Sequence, residues 1–389
     1  VRVGPRAHLA YCTNVHPGED WAQVRASLEG PVAEVRARVA PARPWALGLR
    51  LSGPAADTLA ADPAELAWLR AWLDRHQAYV FTVNAFPRGP FHGTAVKDRA
   101  YRPDWRERER LDYTLRVAEL LAGLAPAGVD PTVSTVPVTF GAFPRDAAAE
   151  AAMRANLVAA REGLARLAER TGRRVRLALE PEPLCLLGTA REAADFLAAL
   201  YDADPASRDW IGVNLDACHH AVEFEGPAAA LRLLRAEGIP VLKVHLSAAL
   251  ALPPTPAALT RLAAMDEPTY LHQTFLRLAD GSVERHPDIP PGVAAARRDP
   301  ARVREARAHF HVPLHAGDLG DGLRSTSPEL LGLLDALVAD PAACDQLEIE
   351  TYTWAVLPPA LRATSVADQV VREYEWTLAE FRARGWNAA

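Results

Sequence analysis

Short apolar runs recur along the whole chain, and most are followed by a longer stretch in which apolar positions return every three or four residues. The short runs predict strands at 8–14 (HLAYCTN), 47–52 (LGLRLS), 78–86 (AYVFTVNAF), 132–138 (TVSTVPV), 175–180 (VRLALE), 211–216 (IGVNLD), 241–247 (VLKVHLS), 309–315 (HFHVPLH) and 347–354 (LEIETYTW). The longer stretches predict helices over 20–39, 62–76, 146–170, 191–202, 226–236, 326–338 and about 365–384. Strand–helix alternation predicts a parallel sheet, because each helical crossover returns the chain to the same end. Nine strand candidates compete for the eight places of a (β/α)8 barrel. The segment 309–315 reads as the extra one, since it follows 269–288, where "ADGS" between two alternating runs predicts an inserted hairpin. The expectation is an α/β fold: one TIM-barrel domain over 1–389, with an insertion at about 265–315 that adds a hairpin and an extra strand before the last barrel strand. No flexible linker or sequence repeat divides the chain.

Composition narrows the classes. Nearly half of the 389 residues are apolar, enough for a large core, and the formal net charge is −6 without a long block of one sign. A nucleic-acid surface needs clustered Lys and Arg to displace counterions, so nucleic acid is not an expected partner. The most basic segment, 99–116, alternates Arg with Glu and Asp and predicts a solvated helix laced with ion pairs. No apolar run is long enough to cross a bilayer. Cys12, Cys185, Cys218 and Cys344 are scattered without a CxxC pair; with no signal peptide, they read as reduced thiols of a cytoplasmic protein.

The candidate chemistry lies at strand ends, where a barrel of this kind gathers its active site. "LALE" ends at Glu180, "GVNLD" at Asp216, "KVHLS" near His245 and "EIET" near Glu350. Period-two alternation puts Asn214 on the face of Asp216 and Lys243 on that of His245. A single carboxylate at a strand end is usually a helix cap, but four strands each delivering a ligand form a pattern. Three carboxylates and one imidazole suit a divalent ion such as Mn2+, Mg2+, Co2+ or Zn2+. Such an ion can bridge two oxygens of a hydroxy-ketone and stabilise the enediolate formed when a proton leaves carbon. His219, three residues past Asp216, is placed to contact substrate; His220 points elsewhere.

Other features carry two readings each. The loop 84–98, with Asn84, Arg88, His92 and Lys97, is a surface loop or a lid over substrate. Arg50 is paired with a carboxylate or contacts an anion. "YCTNVHPGEDW" offers Asn14 and His16 at a strand end. Tyr352 and Trp354 pack in the core or stack on a sugar ring. "AGDLGDG" (316–322) lacks the strand–GxGxxG–helix context of a dinucleotide site.

Glu180 in "LALEPEP", Asp216 and His219 in "DACH", His245 in "KVHLS" and Glu350 in "LEIET" together resemble the xylose isomerase-like TIM-barrel superfamily, which includes sugar isomerases, ketose epimerases and endonuclease IV-type enzymes. With "YCTNVHPGEDW" and "YVFTVNAFPRGPFHGTAVKDRAYRPDW", the motifs also resemble the EboE-type proteins, labelled metabolite traffic proteins. The resemblance implies a sugar, polyol or cyclitol-like ligand and, since barrels of this superfamily are often dimers or tetramers, a homo-oligomer. Where family epimerases place a second glutamate and an arginine, this chain has Leu186 and Ala251. EboE-type proteins often carry Gln at the position of His245, and His311 or His315 on the extra strand is then the candidate to enter the site instead. The expected set is Glu180, Asp216, His245 and Glu350 on the metal, with Glu180, Glu350 and His219 catalytic. Arg50, Asn84, His92, His311 and Trp354 would contact substrate. A metal-dependent hydrolase or phosphoesterase and a non-catalytic metabolite carrier are the alternatives.

Overall fold

The computed structural model describes residues 1–388, apart from 94, 358–361 and 363. Eight parallel strands, Ala7–Tyr11, Trp45–Arg50, Ala78–Asn84, Thr132–Thr135, Arg176–Leu179, Ile211–Asp216, Val241–Leu246 and Gln346–Ile349, pair in sequence order from the second to the seventh. The eighth lies between the seventh and the first, and a parallel bridge between Cys12 and Gly48 joins the first to the second. The result is a TIM barrel, with Arg2–Val3 added antiparallel to the first strand. The second and sixth strands are buried at every position, as expected of strands walled by helices outside and side chains inside.

Helix boundaries follow local capping chemistry. Asp146 caps Ala147–Thr171 by accepting the Ala149 amide at 2.8 Å, and Gly172 ends it in the left-handed region. Thr189 and Glu192 form a capping box at the start of Ala190–Ala203. The predicted helix 20–39 is broken into Trp21–Ser27 and Ala33–Val39, because Gly30 leaves helical geometry and Pro31 lacks an amide hydrogen.

Between the seventh strand and the helix Ser327–Ala339 lies a second, six-stranded antiparallel sheet. It contains the hairpin Thr274–Leu278/Val283–His286 turning at Asp280-Gly281. The predicted strand 309–315 is not one. The strand is Val303–Ala308, paired with Thr274–Leu278 and Leu250–Leu252. The chain leaves the ladder at His309, where Phe310 stacks on His272 at 3.6 Å between ring centroids, and Pro313 cannot extend a ladder. That exit turns His309 and His311 toward the barrel mouth.

The barrel interior is unusually polar. Thr132 Oγ1 lies 3.0 Å from Thr82 Oγ1 and 2.7 Å from Gln346 Oε1, and Gln346 donates to the Asp130 carbonyl at 2.6 Å. One layer higher, Lys243 Nζ is 2.6 Å from Glu348 Oε2 with both side chains fully buried. These layers lie beneath the site.

Candidate metal centre and pocket

The side chains of Glu180, Asp216, His245 and Glu350 each bring a ligand atom within 4.8 Å of the others, and all four are buried. His245 Nδ1 faces the three acids: 3.1 Å to Glu180 Oε1, 3.3 Å to Asp216 Oδ2 and 3.0 Å to Glu350 Oε2. Asp216 and His245 lie at the C-terminal ends of the sixth and seventh strands, and Glu180 and Glu350 follow directly on the fifth and eighth, where a barrel gathers its site. Asp216 is divided in its work. Its Oδ1 caps the short helix Ala217–Val222, taking the His219 amide at 2.9 Å and the Ser247 hydroxyl at 2.9 Å, which leaves Oδ2 toward the centre. Glu350 Oε1 accepts from Asn14 Nδ2 at 2.7 Å and Asn84 Nδ2 at 3.2 Å.

The donor set fits a divalent cation. One ring nitrogen carries at most one hydrogen, so Nδ1 can satisfy only one of the three oxygens around it. Glu180 Oε2 and Asp216 Oδ2 are buried without a hydrogen bond. Burial opposes charge on His245, yet the Glu350 and Glu180 carboxylates hold its imidazolium well above the ordinary histidine range. Burial likewise opposes ionisation of Asp216, but His219 and His311 together with His245 hold it well below the ordinary range. Charges of this density are buried only when paired or coordinating a metal.

Above this floor opens a pocket walled by the polar side chains of Asn14, Asn84, Glu180, Glu182, His219, His309 and Glu350 and by the aromatic rings of Phe86, Phe91, Tyr101, Tyr270 and Tyr352. His219 donates from Nδ1 to the Pro181 carbonyl at 2.9 Å, and His311 from Nδ1 to the Glu350 carbonyl at 2.9 Å. Burial pushes Glu182 up to about 8, with the Tyr101 hydroxyl 2.5 Å from its Oε1 acting against the shift.

The remaining expected residues are distributed as follows. Asn84 lines the pocket. Arg50 is buried, and its guanidinium donates to the carbonyls of Gly18, Pro87 and Gly89 at 2.9 to 3.3 Å and reaches Glu19 at 3.4 Å. It ties two loops together through backbone carbonyls and does not itself line the pocket. His92 fastens the loop after the third strand: Nε2 lies 2.8 Å from the Asn14 carbonyl and Nδ1 2.8 Å from the Tyr270 hydroxyl. Phe91, Val96 and Lys97 of the same loop line the pocket, as a cover would. Trp354 packs in the main hydrophobic core, and Tyr352 takes the pocket position, because the turn Tyr352–Val356 reverses which side faces inward. His311 sits behind the pocket, 3.6 Å from Glu350 Oε2, while His315 is exposed. His220 bonds Glu225 at 2.7 Å, away from the centre.

Three residues that meet the pocket or the four-residue cluster have no place in the sequence-based expectation: Glu182 and His309 line the pocket, and Glu348 touches His245. The last two had a visible signal. In "HFH" and "EIE", period-two spacing puts His309 with His311 and Glu348 with Glu350. Glu182 follows Pro181 in a turn, where no periodicity applies.

A model of the xylose isomerase-like TIM barrel matches residues 48–253, slightly more than half of the chain. Among solved structures, an L-ribulose 3-epimerase is 15% identical over 97% of this chain and 96% of its own, with a TM-score of 0.52. A xylose isomerase-like TIM-barrel protein from Mycobacterium smegmatis, in complex with magnesium, is 11% identical over 98% of both chains, with a TM-score of 0.52. A xylose isomerase domain protein from Alicyclobacillus acidocaldarius is 12% identical over 97% of this chain and 99% of its own, with a TM-score of 0.50. No curated protein matches in sequence.

Proposed function

The chain belongs to the xylose isomerase-like TIM-barrel family, and from that premise we propose that it is a divalent-metal-dependent isomerase or epimerase of a hydroxylated small molecule. The observation that carries this reading is the convergence of Glu180, Asp216, Glu350 and His245 Nδ1 beneath a pocket floor. The combination of "YCTNVHPGEDW" and "LEIETYTW" further supports the EboE-type branch, and a sugar, polyol or cyclitol-like ligand.

Glu180, Asp216, His245 and Glu350 would hold the ion, which supplies a Lewis acid for a carbonyl and its neighbouring hydroxyl. Glu180 and Glu350 approach the centre from the fifth and eighth strands, 3.1 Å and 3.0 Å from His245 Nδ1. Glu180 keeps Oε2 without a hydrogen bond, free to take or return a proton at the carbon beside the carbonyl, and Glu350 would be its partner in that transfer. Asn14 and Asn84 hold Glu350 by two amide hydrogens, fixing its orientation. His219 presents Nε2 to a substrate hydroxyl, because its Nδ1 hydrogen is given to Pro181. The aromatic wall and the loop fastened by His92 exclude water from the exchanging proton.

Turnover of a ketose and polyol panel in D2O, with the metal content of the purified protein, tests the reading. Deuterium at the reacting carbon and one bound ion per chain are expected. Activity and metal retention that both survive Glu180→Gln would sink it.

One observation favours a second reading, a metal-dependent hydrolase. His309 donates from Nδ1 to Gln273 Oε1 at 2.7 Å, so His309, His311 and His219 all turn Nε2 lone pairs toward the same region, with Nε2 of His309 and His311 3.3 Å apart. With Glu182 or Asp216 these form further clusters of metal-ligating atoms, and paired ions favour hydrolysis. Two ions per chain with phosphoester cleavage, and no deuterium exchange, would select it.

A further inference from the structure

We propose that Lys243 and Glu348 are positioning residues: they fix His245 in the tautomer that turns an Nδ1 lone pair toward the three carboxylates, and so set the affinity of the centre for a divalent ion. The proposal rests on the metal-centre reading above.

The site holds a conflict. Glu180, Asp216 and Glu350 all face His245 Nδ1. Left to themselves, three anions draw the imidazole hydrogen onto Nδ1, and a nitrogen that bears hydrogen cannot ligate a metal. Something must hold that hydrogen on the opposite side of the ring. Glu348 Oε2 lies there, 2.9 Å from His245 Nε2. A carboxylate oxygen only accepts, so the hydrogen belongs on Nε2 and the Nδ1 pair is released. A carboxylate behind a histidine ligand also raises its basicity and fixes its ring orientation.

Glu348 needs its own support, since a carboxylate in a dry barrel is buried only with a counter-charge beside it. Lys243 Nζ, 2.6 Å from the same Oε2, supplies the counter-charge, and Ser134 Oγ steadies Nζ at 3.3 Å. All three charged or ring side chains are fully buried. An ion pair buried this deeply is poor evidence for stability, because well-packed apolar residues would serve as well. Its placement against one ring nitrogen is what a positioning role requires.

The seat is also sterically reserved. A Cβ at Gly48 would lie 1.4 Å from Glu348 Oε1 and 2.6 Å from its Cδ. The second strand thus leaves room for the carboxylate by omitting one side chain. Lys243, Glu348 and Gly48 come from three different strands, and their meeting serves no contact with the pocket, whose lining includes none of them.

Titration with Mn2+ followed by calorimetry, and with Co2+ followed by visible absorption, tests the proposal without reference to activity. Glu348→Gln and Gly48→Ala are expected to weaken Mn2+ binding roughly 10- to 100-fold at unchanged stoichiometry, and to alter the Co2+ spectrum. The pair Glu348→Gln with Lys243→Met removes both charges together, leaving no unpaired ion, and covers the case in which the single variant fails to fold. If the pair of residues is merely structural, this double variant binds Mn2+ like wild type, and the proposal is overturned. Nitrogen NMR of the Zn2+-loaded wild type reads the tautomer directly: hydrogen on Nε2 of His245 supports the proposal, and hydrogen on Nδ1 refutes it. Wild-type protein that binds neither Mn2+ nor Zn2+ would instead remove the metal-centre reading itself.

Discussion

At the scale of single residues, the site is made of side chains with two ends in use. Asp216 spends Oδ1 on a helix cap and a serine, and keeps Oδ2 for the centre. Asp216→Asn preserves the cap oxygen but puts an amide where a ligand oxygen stood. It should abolish metal retention and also lower the stability of the metal-free protein at neutral pH, because the folded state favours the Asp216 charge through His219, His311 and His245. Asp216→Ala loses the cap as well and should cost a further 0.5–2 kcal/mol or so. Denaturant midpoints of the two metal-free variants separate the roles. Glu180→Gln should likewise lose metal and turnover together, since its unbonded Oε2 lies at the same centre.

At the scale of elements, function depends on loops that the strands do not hold by themselves. Arg50 joins the loop after the first strand to the loop after the third, through carbonyls that have few other donors within reach. The latter loop is anchored again by His92 and by Lys97, whose Nζ is 2.7 Å from Asp288 of the insertion. Replacing Arg50 with Met should cost roughly 2–4 kcal/mol and open 86–101 to limited proteolysis, with metal stoichiometry unchanged. Loss of the metal in this variant would show that the centre depends on the cover. The barrel elements themselves were legible in periodicity, because burial on both faces leaves a nearly unbroken apolar run. The insertion was legible only at its hairpin. Its other strands are short and pair antiparallel across long sequence separations, so no local pattern marks them.

At the scale of the whole molecule, the last helix closes the barrel with a buried acid. Glu373 accepts from the Thr351 hydroxyl at 2.7 Å and the Leu314 amide at 3.2 Å, and burial pushes it from an ordinary 4.5 up to about 7. A group whose folded value exceeds its unfolded one contributes stability that is complete below the unfolded value and is lost as pH rises through the folded one. Glu373 should therefore contribute a fall of roughly 3 kcal/mol in unfolding free energy between about pH 4.5 and 7, on top of the fall that buried Glu182 contributes over the same range, and Glu373→Gln should make the slope shallower by that amount; an unchanged slope in urea titrations would refute the assignment. Chelation tests the centre on the same scale: an ion held at 100 times its dissociation constant adds about 2.7 kcal/mol, so removing it should lower the melting temperature by several degrees. The barrel and the acids at its strand ends can be read from the chain alone, because both follow from repeating local rules: apolar periodicity for the strands, and the strand-end position for the acids. Which side chains share the space is set by tertiary packing. Glu348, His309 and Glu182 reach the centre from separate elements, Arg50 and Trp354 turn away from it, and Gly48 makes room for a carboxylate 300 residues away along the chain. Those outcomes depend on register, turn direction and packing between distant segments, and no local pattern encodes them.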